Sequence, residues 1–120
     1  MRNRSAGRYR EIIERFDRIA RANLESFASV ADLCRGAQIP HHTLLRALRA
    51  IHATSPVRYL HELRLSEARR ALMSRNCAVK NVTEVATRFG FRELGRFSGE
   101  YRDRFGESPS DTLRRSCRSG

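Results

Sequence analysis

Arginine is the side chain through which this sequence could act on a partner. The 120 residues hold 24 Lys and Arg against 13 Asp and Glu, and every one of those 24 cations except Lys80 is arginine. A guanidinium is a planar fork of donors that fits a phosphate, or the O6 and N7 edge of a guanine, so nucleic acid is the leading partner. The excess is not confined to a tail: residues 1–60 carry 11 cations and 5 anions, and residues 61–120 carry 13 and 8. Both halves can therefore meet a polyanion.

Other chemistry has little support. Cys34, Cys77 and Cys117 are odd in number and widely spaced, which writes neither a disulfide framework nor a CxxC metal pair. His41 and His42 are adjacent, and neighbours on a helix point in different directions, so no metal site is expected there or at His52 and His61. No carboxylate pair, Ser/His/Asp order or Gly-rich phosphate loop stands in a usable setting. The chain is read as no enzyme and is expected to need no cofactor. No apolar run is long enough to span a membrane, and the opening "MRNRSAGRYR" lacks a signal peptide's apolar centre, so the expected location is cytoplasmic.

Helices must position the arginines. From Arg8 to Leu24, Tyr9, Ile12, Ile13, Phe16, Ile19, Ala20 and Leu24 recur at helical spacing and should face a core. Glu11 with Arg15, Glu14 with Arg18, and Asp17 with Arg21 are acid-before-base pairs four apart, which marks this helix as scaffold. Ser29 caps a short helix with Asp32 at the third position. After Pro40, "HHTLLRALRAIH" turns Leu44, Ala47, Leu48 and Ile51 inward. Ser55 and Pro56 then open a long helix to about Met73, with Leu60, Leu63, Ala68, Ala71 and Leu72 buried, before "SRNCAVK" breaks it.

The pattern then repeats. "NVTEVA" at 81–86 copies "SVADLC" at 29–34, and Leu44, Leu48, Arg49, Ser55, Pro56 and Leu60 match Phe97, Tyr101, Arg102, Ser108, Pro109 and Leu113. Two copies of this length point to duplicated supersecondary units rather than a solenoid. Cys34 falls where the second copy has Ala86, so it is read as a small packing residue rather than a nucleophile, with Cys117 in a tail as the thiol expected to be exposed. Each unit is a pair of short helices with a tight turn in an arginine-rich chain, the pattern of a helix-turn-helix.

At this point the chain resembles the DNA-binding domain of the AraC/XylS family of bacterial transcription regulators. The resemblance spans roughly Arg8 to Arg114 and is strongest at Ala86, Gly90, Phe91, Phe97, Tyr101, Arg102, Phe105, Gly106, Ser108 and Pro109. It implies an all-α fold of about seven helices: two homeodomain-like helix-turn-helix units joined by a long linking helix, with both recognition helices offered to adjacent major-groove segments about 10 base pairs apart. The expected organisation is a basic segment or linker at 1–7, the first unit with its scaffold and linking helices at 8–73, the second unit with its closing helix at 74–115, and a tail at 116–120. Family members commonly carry an effector-binding or oligomerisation domain, which is expected to be absent here, so the chain is expected to be a fragment of a longer regulator, with a stand-alone regulator as the alternative. Two departures stand out. In the first turn Gln38 replaces the glycine seen as Gly90 and Pro40 stands where the family favours a capping Ser; a left-handed Gln38 costs on the order of 1 kcal/mol, so this turn is expected to differ in shape. After Pro109 an aromatic residue is replaced by "SDTLRR", so the last helix is expected to pack or end differently.

With the inward faces assigned, the outward faces follow. On the first recognition helix they are His42, Leu45 and Arg46 for reading bases, with Arg49 gripping phosphate. On the second, Gly95, Ser98 and Gly99 form a nearly bare stripe, with Arg96 beside it and Arg92 and Arg102 as phosphate ligands. Each internal glycine costs roughly 1 kcal/mol relative to alanine, so two of them four apart suggest a close approach, either to the duplex or to the protein's own core. The expected partner is double-stranded DNA; the alternative is a basic helical adaptor for a protein such as RNA polymerase.

Overall fold

Side-chain caps decide where most of the helices begin. The computed structural model describes residues 2–26, 28–74 and 81–118, and among them forms seven helices and no strand: α1 Arg2–Ala22, α2 Val30–Ala37, α3 His41–His52, α4 Pro56–Met73, α5 Val82–Arg88, α6 Leu94–Phe105 and α7 Pro109–Arg118. Ser29 and Asp32 form a complete capping box: the Asp32 amide donates to Ser29 Oγ at 3.1 Å and the Ser29 amide to Asp32 Oδ2 at 3.0 Å. Asn81 does half of this for α5, accepting from the Glu84 amide at 2.7 Å. Ser55 and Ser108 accept from the amides of Arg58 and Asp111 to start α4 and α7, each just ahead of a proline at the first helical position. No helix among the described residues is long and apolar enough to cross a membrane.

Two boundaries differ from the sequence expectation. Helix α1 reaches back to Arg2, through residues expected to be linker, because "RNRSAG" holds no proline and extends a helix already anchored by its apolar stripe. The described residues divide into two compact units within α4, between Leu63 and Arg64, rather than after Met73. The physical reason is that α4 buries Leu60 and Leu63 in the first unit, and Leu65, Ala68 and Leu72 in the second. The break expected at 74–80 falls mostly on residues 75–80, which with Cys77 and the side chain of Cys117 lie outside the described residues.

In the first unit α1 packs along α3 and α2, closing a core of Phe16, Ala20, Leu24, Leu33, Cys34, Leu44, Ala47 and Leu48. Tyr59 of α4 donates to Asp17 Oδ1 at 2.7 Å and sets its ring 6.2 Å from that of Phe16. Of the three acid-base pairs expected on α1, Asp17 with Arg21 forms at 2.6 Å. Arg15 turns instead to the end of α2, donating to the Ala37 carbonyl at 2.6 Å, because a buried helix end offers a better partner than a solvated carboxylate. The Cys34 side chain is buried, and burial pushes its thiol up, consistent with a packing role.

The second unit is built on aromatic rings. Phe91 and Phe97 lie 4.6 Å apart, Phe97 and Tyr101 5.8 Å, and Tyr101 and Phe105 4.7 Å, with Arg69 of α4 over the Phe105 ring at 4.8 Å. The buried Tyr101 hydroxyl donates to Thr112 Oγ1 at 2.8 Å, and Thr112 donates onward to Glu107, which Arg115 holds through two bonds of 2.6 and 2.9 Å. Thr112 and then Arg115 hold the Glu107 carboxyl below the ordinary value of 4.5. Thus α7 docks through a buried threonine in the segment that lacks the expected aromatic residue.

The two turns have the same shape despite Gln38. The Gln38 amide donates to Arg35 O and the Ile39 amide to Cys34 O; 52 residues on, Gly90 donates to Thr87 O and Phe91 to Ala86 O. Gln38 keeps this pattern by adopting φ 58°, where Gly90 has φ 88°. The end of α3 repeats the substitution: Ala53 at φ 52° stands where α6 ends on Gly106 at φ 79°. A left-handed L-residue costs roughly 1–2 kcal/mol, part of which glycine returns as unfolded-state entropy. Gln38→Gly and Ala53→Gly should therefore each stabilise the fold by about 0.5–1 kcal/mol in denaturant titration; an unchanged midpoint would show that neither turn is strained.

Candidate nucleic-acid interface

The second helix of each helix-turn-helix pair, α3 and α6, starts without a side-chain cap. Pro40 and Glu93 occupy their N-cap positions without accepting a hydrogen bond through a side chain, and neither helix has an acidic residue in its first turn. Four other helices are capped by Ser29, Ser55, Asn81 and Ser108. The second helix of each unit therefore presents its positive dipole end with no side-chain acceptor at its N-cap, an arrangement that suits an anion.

Helix α3 has two faces. Leu44, Ala47 and Leu48 are fully buried, while His42, Arg46 and Arg49 are exposed on the opposite side and Leu45 is half-buried at its edge. Arg46 and Arg49 make no hydrogen bond or ion pair among the described residues. Ile51, expected inside, is half-buried. The four candidate residues of the first unit thus share one outward face, with Leu45 contributing only its exposed half.

On α6 the buried face is Phe97 and Tyr101, and Gly95, Gly99 and Arg102 lie exposed on the other, with Ser98 half-buried. A Cβ built on Gly95 or Gly99 would meet no heavy atom of another element within 4 Å among the described residues, so packing against those residues does not require either glycine. Arg96 is exposed about 100° around the helix from Gly95, and Arg92 is exposed in the segment before the helix. Arg102 lies near Asp111, whose carboxyl is held below its ordinary value first by Ser108 and less by Arg114 and Arg102.

Sequence reasoning missed Leu94. It stands three residues before Phe97 and seven before Tyr101, the spacing of the buried face, yet it is 41% exposed. Its place in the first turn carries it past the core, a fact that periodicity does not encode. Among the described residues no group of three or more His, Cys, Asp or Glu could hold a metal ion.

The helix-turn-helix domain model matches residues 33–115. The chain is 38% identical over 93 residues, 78% of its length, to a probable thc operon regulatory protein of Rhodococcus erythropolis, and 35% identical over 101 residues, 84% of its length, to the XylDLEGF operon transcriptional activator of Pseudomonas putida. It spans 28% and 32% of the lengths of those two relatives. Its fold matches that of a probable AraC family transcriptional regulator from Rhodopseudomonas palustris, at TM-score 0.75 and 28% identity over 88% of this chain and 97% of that one. A transcriptional regulator from Chromobacterium violaceum, described as of the AraC-type DNA-binding domain-containing proteins, matches at TM-score 0.78 and 26% identity over 96% and 99%.

Proposed function

The chain belongs to the AraC/XylS family of helix-turn-helix DNA-binding proteins, and from that premise we propose that it is the DNA-reading part of a sequence-specific transcription regulator. Its work is binding rather than catalysis, in double-stranded DNA and in the cytoplasm. The observation that carries this reading is that the second helix of each unit combines an exposed outward face with an open N-terminus. In the first unit His42, Leu45 and Arg46 read base edges: Arg46 holds a guanine, the exposed half of Leu45 meets a thymine methyl and His42 works near the helix start, while Arg49 grips phosphate. In the second, Gly95, Ser98 and Gly99 let the backbone of α6 approach the duplex, Arg96 flanks them, and Arg92 and Arg102 hold phosphates. Leu94 adds an apolar contact at the start of α6.

The test is affinity for selected and random duplexes across a salt series. Each neutralised phosphate contributes a log-log slope of about 0.9, so several contacts give a slope of several units. The selected duplex should bind more tightly at every salt concentration. A slope near zero, or equal affinity for the two duplexes, would replace this reading with that of a basic adaptor for a protein such as RNA polymerase.

A further inference from the structure

We propose that Arg15 and Arg64 are matched positioning residues: each reaches, within its own unit, from the preceding long helix to the carbonyl that ends the first helix of the helix-turn-helix pair, and so sets the direction in which the reading helix departs. Arg15 Nη2 donates to the Ala37 carbonyl at 2.6 Å and to the Gln38 carbonyl at 3.4 Å. Arg64 Nη1 donates to the Phe89 carbonyl at 3.2 Å. Ala37 and Phe89 are separated by the same 52 residues that separate Ser29 from Asn81 and Cys34 from Ala86, so the two guanidinium groups meet the same backbone atom of the repeated turn. The arginines themselves are 49 residues apart and fall outside that register. The contact therefore recurs at the level of structure without being part of the sequence repeat.

The position is mechanically apt. The last carbonyls of a helix have no intrahelical donor, and a cation there also meets the negative end of the helix dipole. One guanidinium nitrogen, Nη2 of Arg15, bridges the two successive carbonyls with N–H donors fixed in a plane, whereas the donors of a lysine ammonium rotate on a flexible stem. Arg64 is half-buried, and burial disfavours its charge, so the Phe89 carbonyl is part of what compensates it. Only Gln38, Ile39 and Pro40 separate the first clamp from α3, and only residues 90–93 separate the second from α6. A tilt of roughly 10° at such a turn moves a side-chain tip about 10 Å along the helix by nearly 2 Å, enough to break a hydrogen bond to a base.

The inference rests on the DNA-reading proposal for its consequence, and its test separates the two. The full chain is compared with Arg15→Met, Arg64→Met and Arg15→Lys at a temperature where circular dichroism shows all to be folded. Without DNA, amide hydrogen exchange should quicken at Gln38 and Ile39 in Arg15→Met, leaving Gly90 and Phe91 unchanged, and the reverse should hold in Arg64→Met. With DNA, each Met variant should lose about tenfold in affinity for the selected duplex and less than about twofold for a random one, with Arg15→Lys recovering part of the loss. Exchange that stays at the wild-type rate, exchange that quickens at both turns in either variant, or affinities for the two duplexes that are unchanged or fall by the same factor would each overturn the proposal. If the unaltered chain does not prefer the selected duplex, the DNA-reading proposal fails, and turn exchange alone then decides whether the arginines clamp.

Discussion

Replacing Gly99 by leucine should lower affinity for the selected duplex by at least tenfold while leaving the fold as stable or slightly more so. Gly99 lies in the middle of α6 on the exposed face, and a side chain added there meets nothing within 4 Å among the described residues. Leucine improves intrinsic helix propensity over glycine by up to about 1 kcal/mol, so the protein itself gains or is indifferent. A duplex lying against the backbone of α6 is not indifferent, because a branched side chain of about 4 Å holds the helix off the groove and breaks every contact that depends on close approach. Thermal melting and a binding titration on the same sample read both effects. A Gly99→Leu protein that melts earlier, and binds normally when folded, would assign the glycines to packing and refute the bare-stripe account.

Arg46→Ala should cost about 1–3 kcal/mol on the best site and relax the preference at one base pair, since a bidentate contact to guanine supplies discrimination as well as attraction. The exposed Arg46 guanidinium carries no internal partner among the described residues, so its loss should leave stability within about 0.5 kcal/mol of the unaltered chain. Arg102→Ala should behave differently. Losing a phosphate contact weakens all duplexes alike and lowers the salt slope by about one. Selection of preferred sites from a random pool by each variant distinguishes the two roles. An Arg46→Ala protein that keeps the wild-type preference at every position would show that Arg46 does not read bases.

The helix caps and the buried faces, which depend on residues about one turn apart, were legible in the sequence. Ser29 and Asp32, Asn81, Ser55 with Pro56, and Ser108 with Pro109 announce helix starts because a cap joins a side chain to an amide three residues on. The buried faces of α3 and α6 follow from spacing, because Leu44, Ala47 and Leu48, like Phe97 and Tyr101, fall on one side of a helix whatever it packs against. The duplication was legible for the same reason, each copy repeating its local signals. The backbone conformation of Gln38 was half legible: the sequence marked the position as abnormal, but only the packed turn showed that the chain accepts a left-handed glutamine rather than changing the turn's shape.

The tertiary structure alone decided how distant residues were paired. Arg15 has a carboxylate four residues away and chooses a carbonyl 22 residues away, Tyr59 reaches an aspartate 42 residues away, and Arg64 a carbonyl 25 residues away. Leu94 sits at a core spacing and stays exposed, and α4 is shared between two units although its sequence pattern is continuous. In each case several partners are chemically acceptable and differ by about 1 kcal/mol, so local preference does not choose among them. Burial does: once helices pack, a carbonyl or hydroxyl removed from water must find a donor or acceptor there, and the side chain that happens to reach it is committed to it.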